Sequence, residues 1–431
     1  MLSESGRDRA FLRSRGEVTS ASQFLARAGS LAARLPDRPA ALNLCERRDN
    51  FLVAFTAMLM RGQVCLLPPS RVPAVVTEVM AEHPGSYALD DATVGLARPV
   101  EPLPDLSIPI IPPDRVVVIG YTSGSTGRPK ANPKTWAGFA ACTAQNASRL
   151  REVLVMRGEA DLPWIVATVP SQHMYGMELS VLMPLLGGMG IHGGHPLYPA
   201  DIAAALAEVP GPRILVSTPV HLRALLESGV ELPDLGAIVS ATAPLPAELA
   251  RAIEQRFDTV LLEYFGSTET CIIASRRTAV DDAWHPYPGV MLQPAGDGTE
   301  VAAPWFSTPM MLQDVLQIRS DGAFTVQGRN VDMVEVAGKR ASLADLTRRL
   351  ASIPGVSDAV VFQPDETDEA TVRRLAALVV ANGMTEAAVL EQLAQAVDPA
   401  FLPRPLLLVP RLPRNEVGKL PRAQLLAALK R

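Results

Sequence analysis

Cysteine is scarce in this chain. There are four in 431 residues (Cys45, Cys65, Cys142 and Cys271), far apart and without ligand-like spacing. That rarity argues against a disulfide framework and against a zinc site, and fits reduced thiols in a cytosolic protein. Among the few histidines, His192 and His195 sit beside glycines and suggest a metal loop, but two further ligands are lacking and that reading is rejected. A strong excess of charge of either sign is missing. The net charge of −5 gives no global attraction to nucleic acid or to an anionic membrane. Long hydrophobic runs are missing too. Phe51 to Met60 reaches about half a membrane span and reads as a core helix, so no membrane insertion is expected. Met1 to Arg15 mixes charges with no apolar segment of a signal peptide. There is no low-complexity tract and no solenoid repeat. What remains, 48% apolar and 20% charged, is the composition of a soluble globular protein, expected in the cytoplasm.

At this length two domains are expected. Phe24, Leu25, Ala28, Leu31, Ala32 and Leu35 recur with helical period and stop at Pro36. Further helices are read over 49–61, 75–81, 136–156, 200–208, 219–227 and 246–257. The runs 64–67, 116–119, 164–169, 214–217, 237–240 and 259–264 read as strands between them. Strand alternating with helix predicts an α/β layer with a mostly parallel sheet. Beyond Gly266 the pattern turns β-rich and irregular up to Arg329. A second unit then begins, with helices over 344–350, 386–397 and 421–429 and strands over 356–362, 374–380 and 405–409. The expectation is an α/β protein: a large N-terminal domain of αβ-layered subdomains, residues 1–329, and a small α+β C-terminal domain, residues 330–431.

One stretch organises the chemistry, Tyr121-Thr-Ser-Gly-Ser-Thr-Gly-Arg-Pro-Lys130, which follows the strand 116–119. Thr122, Ser123, Ser125 and Thr126 supply hydroxyls, Gly124 and Gly127 let the backbone approach a ligand, and Lys130 adds a cation. That composition fits a triphosphate cradle. The glycine spacing matches neither G-x-x-x-x-G-K-[ST] nor G-x-G-x-x-G. A second stretch, Glu263-Tyr-Phe-Gly-Ser-Thr-Glu269, ends a strand. In it Tyr264 or Phe265 can stack on a purine, Gly266 turns the chain, Thr268 can donate to phosphate and Glu269 can hold Mg²⁺ through oxygen. Asp314 and Arg329 stand fifteen residues apart, similar to the stretch from the ribose-binding Asp to the Gly-Arg of adenylate-forming enzymes, which implies a carboxylate for ribose hydroxyls and a guanidinium for phosphate or ribose.

These elements resemble the adenylate-forming superfamily of acyl-CoA synthetases, aryl-acid ligases, peptide-synthetase adenylation domains and firefly luciferase. The first stretch is similar to its phosphate loop, the second to its N-x-Y-G-x-T-E element. Leu412-Pro-Arg-Asn-Glu-Val-Gly-Lys-Leu-Pro-Arg422 resembles the terminal G-K element, which implies that Lys419 bridges the reacting carboxylate and the α-phosphate. Pro170-Ser-Gln-His-Met-Tyr-Gly176 resembles P-x-x-H-x-x-G and implies His173 in the acyl pocket. Ser240-Ala241-Thr242 stands where the family has S-G-G, beside the substrate. Asp332 falls at the family's pivot, with Glu335 where a Lys is usual. The resemblance runs from about residue 20 to the end and implies a compact acyl- or aryl-acid ligase with the adenylate-forming fold. Thr126, Glu269 and Lys419 would be catalytic, and Thr126 and Glu269 would hold Mg²⁺. ATP would be consumed, an acyl-AMP formed with release of pyrophosphate, and the acyl group passed to a phosphopantetheine thiol. An acyl carrier protein is placed slightly ahead of CoA as acceptor, by analogy. The alternatives are a non-catalytic protein that binds ATP or acyl-AMP, and a kinase or ATPase.

Overall fold

Short apolar runs and capped amphipathic helices alternate along the chain, and a computed structural model shows how they assemble. It describes residues 9–98, 110–123, 129–243, 245–295, 298–312, 314–329, 333–336, 339–364, 374–413, 420 and 422–429. Helix starts follow local side-chain chemistry. Ser20 and Gln23 form a reciprocal capping box at Ala21–Ala32, and Thr135 and Thr218 cap Trp136–Met156 and Pro219–Glu227. Gly62 ends Arg48–Arg61 in the left-handed conformation.

Two sheets carry most of the first unit. Strands are numbered in chain order. The smaller sheet joins β3 (Ala40–Asn43), β4 (Val64–Leu67), β5 (Tyr87–Leu89), β6 (Val116–Ser123) and β7 (Pro129–Thr135) in the order β5-β3-β4-β6-β7. The larger has nine strands: β1 (Ala10–Ser14), β2 (Glu17–Ser20), β8 (Trp164–Ala167), β9 (Gly190–His192), β10 (Arg213–Ser217), β11 (Ala237–Ser240), β12 (Leu261–Ser267), β13 (Cys271–Arg276) and β14 (His285–Pro286). Their order is β14-β13-β12-β11-β10-β8-β9-β1-β2. From β1 to β12 the neighbours run parallel, while β13 and β2 turn back antiparallel at either end. The α/β expectation therefore holds. The sequence reading lacked β1 and β2, because residues 10–20 mix charged and apolar positions without a clean period. Beyond β14 lie β15 (Met291–Ala295), β16 (Gly298–Ala302) and β17 (Met310–Leu312), then the hairpin of β18 (Asp314–Ile318) and β19 (Phe324–Arg329).

The chain divides into two compact units, Met1–Leu67, His83–Gly120 and Asn132–Asn330 in one, and Pro68–Glu82, Tyr121–Ala131 and Val331–Arg431 in the other. The second unit has its own core around Leu346, Leu350, Val361, Ala377, Val379 and Val389. It holds the hairpin of β20 (Met333–Val336) and β21 (Lys339–Ser342), and a three-stranded sheet of β22 (Val356–Phe362), β23 (Ala376–Ala381) and β24 (Leu406–Leu408). Within it the helix Pro73–Glu82 is tied to Leu343–Ala351 by Glu78, whose carboxylate lies 3.0 Å from the Arg349 guanidinium. Among the described residues no helix is long and apolar enough to cross a membrane.

In the first unit a guanidinium is fully enclosed. Arg48, 1% exposed, donates to the carbonyls of Ala167 (2.8 Å) and Val169 (3.0 Å), to Ser171 Oγ (3.0 Å) and to Ser180 Oγ. Burial lowers its pKa to about 9, with the neighbouring Asp49 opposing. The segment that accepts these bonds leads into Met174–Met177, followed by a π-helical turn, Glu178–Leu182, and Met183–Leu186. Arg48→Met should therefore lower the unfolding free energy by ~3–5 kcal/mol, since it orphans several buried acceptors at once. Arg61→Met, at an exposed pair, should cost under ~1 kcal/mol. Urea unfolding of both variants checks this, and equal losses would refute the assignment.

Candidate active site at the ends of the parallel strands

Strands β8, β10, β11 and β12 run side by side, so their C-terminal ends share one edge of the sheet, where open α/β sheets bind ligands. Strand β12 extends to Ser267, and Thr268–Thr270 turns the chain into β13. Glycine is required at 266, since a Cβ there would lie 2.1 Å from Cys271 O across the hairpin. The turn is closed by Ser267 N donating to Thr270 Oγ1 (3.1 Å) and Thr270 N donating to Ser267 Oγ (3.2 Å). Buried Lys134 on β7 donates to the carbonyl of Glu269. The Glu269 side chain is half-buried, an oxygen donor on a braced turn, which fits a hard divalent cation.

The turn lies close to Gly120 and Met174. A Cβ on Gly120, at the entry to the phosphate-loop stretch, would stand 3.2 Å from Thr268 Cγ2 and 3.0 Å from Met174 Cε. Met174 follows His173, which is the N-cap of Met174–Met177 and half-buried. The last glycine of that element is also steric: a Cβ on Gly176 would lie 2.0 Å from Pro170 O. Of the phosphate-loop residues, Thr122 and Ser123 end β6, and Lys130 is exposed near the start of β7. Gly124, Ser125, Thr126 and Gly127 lie outside the described residues, as do Asp332 and Lys419. Tyr121 is buried, and desolvation with the nearby Glu82 carboxylate raises its phenol above the usual range.

The two aromatics of β12 point to opposite faces, as strand alternation requires. Tyr264 is 3% exposed in the main core, edge-on to Tyr287, so its ring does not face solvent. Phe265 is half-buried and packs on Trp284 (5.2 Å) and Phe324 (5.3 Å). Asp314 and Arg329, separated in sequence, are direct partners in the β18–β19 ladder. Asp314 is buried, and its carbonyl accepts from Thr299 Oγ1 (2.9 Å).

The edge holds one polar residue that sequence reasoning missed, Ser217. Ser217, Ser240 and Glu263 stand in register across β10, β11 and β12. Glu263 accepts from Arg276 Nε (2.7 Å), Thr278 Oγ1 (2.6 Å) and Leu245 N (3.1 Å), which pins the segment after β11. Burial raises the Glu263 carboxyl above its usual range, with Arg276 opposing. The basic partner at 276 was the available signal, but its pairing is visible only across the hairpin. Ser240 is fully buried with no partner for Oγ, Ala241 is 7% exposed, and Thr242 has φ +79° with Oγ1 also unpaired. A β-branched residue in that region is strained and marks a position suited to glycine. The histidine pair makes separate bonds, His192 Nε2 with Glu208 (3.3 Å) and His195 Nε2 with Thr168 O (2.9 Å).

The chain is similar to known proteins over most of its length. Residues 70–303 match the model described as "AMP-binding enzyme", and residues 348–419 the model described as "AMP-binding enzyme C-terminal domain". A 4-coumarate–CoA ligase of Halorhodospira halophila is 30% identical over 314 residues, covering 69% of this chain and 73% of that protein. An indoleacetate–CoA ligase of Aromatoleum aromaticum is 26% identical, covering 72% and 67%. The o-succinylbenzoate CoA synthetase of Bacillus subtilis has the same fold, with a TM-score of 0.80, 18% identity, and coverage of 97% and 95%.

The Glu263–Arg276 pair makes a stability prediction. Glu263→Gln keeps the shape but leaves Arg276 beside a neutral group, and should cost ~3 kcal/mol in urea unfolding. A change under ~0.5 kcal/mol would show that the pair does not brace the edge.

Proposed function

The chain belongs to the AMP-binding enzyme family, and from that membership we propose that it uses ATP to activate a carboxylic acid as acyl-AMP, releases pyrophosphate and transfers the acyl group to a thiol. It is an AMP-forming acid–thiol ligase. The observation that supports the reading is the approach of Gly120, Thr268 and Met174, which sets the end of the run 116–120 beside the Thr-Glu turn and the histidine element.

Each residue has a role in that reading. Thr122, Ser123, Gly124, Ser125, Thr126, Gly127 and Lys130 bind the triphosphate with Thr268. Glu269 and Thr126 hold Mg²⁺, which when bound neutralises phosphate charge and assists departure of pyrophosphate. Phe265, beside Gly266, offers the purine a face that the enclosed Tyr264 does not. Asp314 takes the ribose hydroxyls opposite Arg329. His173, Ser240 and Ala241 line the acid pocket. Lys419 places a cation between the carboxylate and the α-phosphate, a contribution of ~3–4 kcal/mol. Asp332 is the pivot on which the small C-terminal domain, residues 330–431, moves relative to residues 1–329 between the two half-reactions. The names of the CoA ligase relatives support CoA as the acceptor thiol, and the phosphopantetheine arm of an acyl carrier protein is the competing acceptor. The reaction is proposed to take place in the cytoplasm.

The test is a screen of carboxylic acids for pyrophosphate release, with 4-coumarate, acetate and indoleacetate among them, followed by thioester assays with CoA and with a carrier protein. AMP as the nucleotide product is expected. ADP would instead indicate a kinase or ATPase, and nucleotide binding without turnover of any acid would indicate a sensor. Lys419→Ala should reduce pyrophosphate release at least ~10²-fold while sparing transfer from preformed acyl-AMP. Unchanged release would remove Lys419 from the chemistry. Asp332→Pro should leave adenylation mostly intact and block thioester formation, because proline fixes φ and removes an N–H at the pivot. Parallel loss of both half-reactions would instead mean damage to the fold.

A further inference from the structure

The cysteines that are distant in sequence are not all distant in space. Cys142 on the helix Trp136–Met156, Glu178 at the start of the π-helical turn and Cys271 at the start of β13 converge in the core, with their Sγ and carboxylate oxygen atoms all within 4.8 Å of one another. All three are buried. We propose that Cys142, Glu178 and Cys271 form a zinc site, distinct from the Mg²⁺ position at the Glu269 side chain.

Four observations support it. The first is size: at bond lengths of about 2.0–2.3 Å, zinc ligand atoms stand roughly 3.5–4 Å apart, so the site closes with shifts under ~1 Å. The second is orientation. Ile272 N donates to both Glu178 oxygens (3.1 and 3.2 Å) and Asn146 Nδ2 to Oε2 (3.3 Å), while Tyr287 OH holds Asn146 Oδ1 (2.8 Å). Oε1 accepts one bond and keeps a lone pair for a metal, and such outer bonds are how protein sites aim their ligands.

The third is charge. Burial raises the Cys142 thiol and the Glu178 carboxyl, so zinc binding would release their protons; the bound set of two thiolates and a carboxylate would carry −3, a zinc ion +2, and nearby Lys134 +1. The sum is zero in a place where an unpaired charge is costly. The fourth is backbone strain. Cys271 has φ +58° without being glycine, and Glu178 opens a π turn, features that persist where surroundings over-determine the geometry. With three protein ligands the fourth position is open, and among the described residues no other His, Cys, Asp or Glu joins the cluster. Cys271 is two residues beyond Glu269, so the ion would fasten the Thr-Glu turn to the helix Trp136–Met156.

The full chain, grown with added zinc and purified without chelator, should carry about one zinc per chain by elemental analysis. Replacement by Co²⁺ should give thiolate-to-metal charge-transfer absorption. Cys142→Ser with Cys271→Ser should reduce zinc content at least tenfold, while Cys45→Ala with Cys65→Ala should leave it unchanged. The unmutated chain decides even where the first double variant fails to fold. Zinc below one-tenth per chain with no charge-transfer band overturns the proposal, as does loss of zinc from the Cys45/Cys65 variant alone.

Discussion

A buried guanidinium needs every donor satisfied or it is expelled, and Arg48 meets that demand with bonds to the end of β8 and to the helical segment beyond it. Its backbone belongs to the helix Arg48–Arg61, which lies over a hundred residues earlier in the chain. The helix, the strand end and the π-helical turn are thereby held in one arrangement, and the position of His173 depends on it. The serines at 171 and 180 are hydroxyl acceptors in a place that composition alone would leave apolar. A lysine could not reproduce this, since its point charge lacks the planar fork that serves several acceptors at once.

The same reasoning connects the glycines to the chemistry. Gly266 and Gly176 are each fixed by a backbone carbonyl that leaves no room for a Cβ. One sets the hairpin that presents Thr268 and Glu269, the other sets the helix that follows His173. The sheet supplies a rigid edge, and small residues let loops close down on it. Position in the fold and chemical role thus have one cause, the close approach of backbone to backbone.

Much of this was legible in the sequence. The parallel strands β4, β8, β10 and β11 are short, apolar and bounded by Gly or Pro, so their period was readable, and the helix from Trp136 announced itself by its cap and length. The fifteen-residue interval between Asp314 and Arg329 became a direct cross-strand pair. The hairpin of β1 and β2 was not legible, because its pairing partner β9 lies about 180 residues away and local pattern carries no trace of it. The Glu263–Arg276 pair and the meeting of Cys142 with Cys271 were hidden for a similar reason: both depend on which elements become neighbours. The left-handed backbone at Thr242 runs against the preference of its side chain, so no propensity argument could find it.

The packing around Trp284 has an optical consequence. Its indole is covered by the Arg276 guanidinium at 4.3 Å from the ring centroid, packed on by Phe265 and nearly parallel to the ring of Phe324. Fluorescence of an indole is sensitive to a neighbouring cation and to the rings stacked on it. Phe265 belongs to the Thr-Glu element and Arg276 to the Glu263 pair, so both ends of that edge bear on one fluorophore. The molecule therefore contains its own emission reporter for whatever settles against β12.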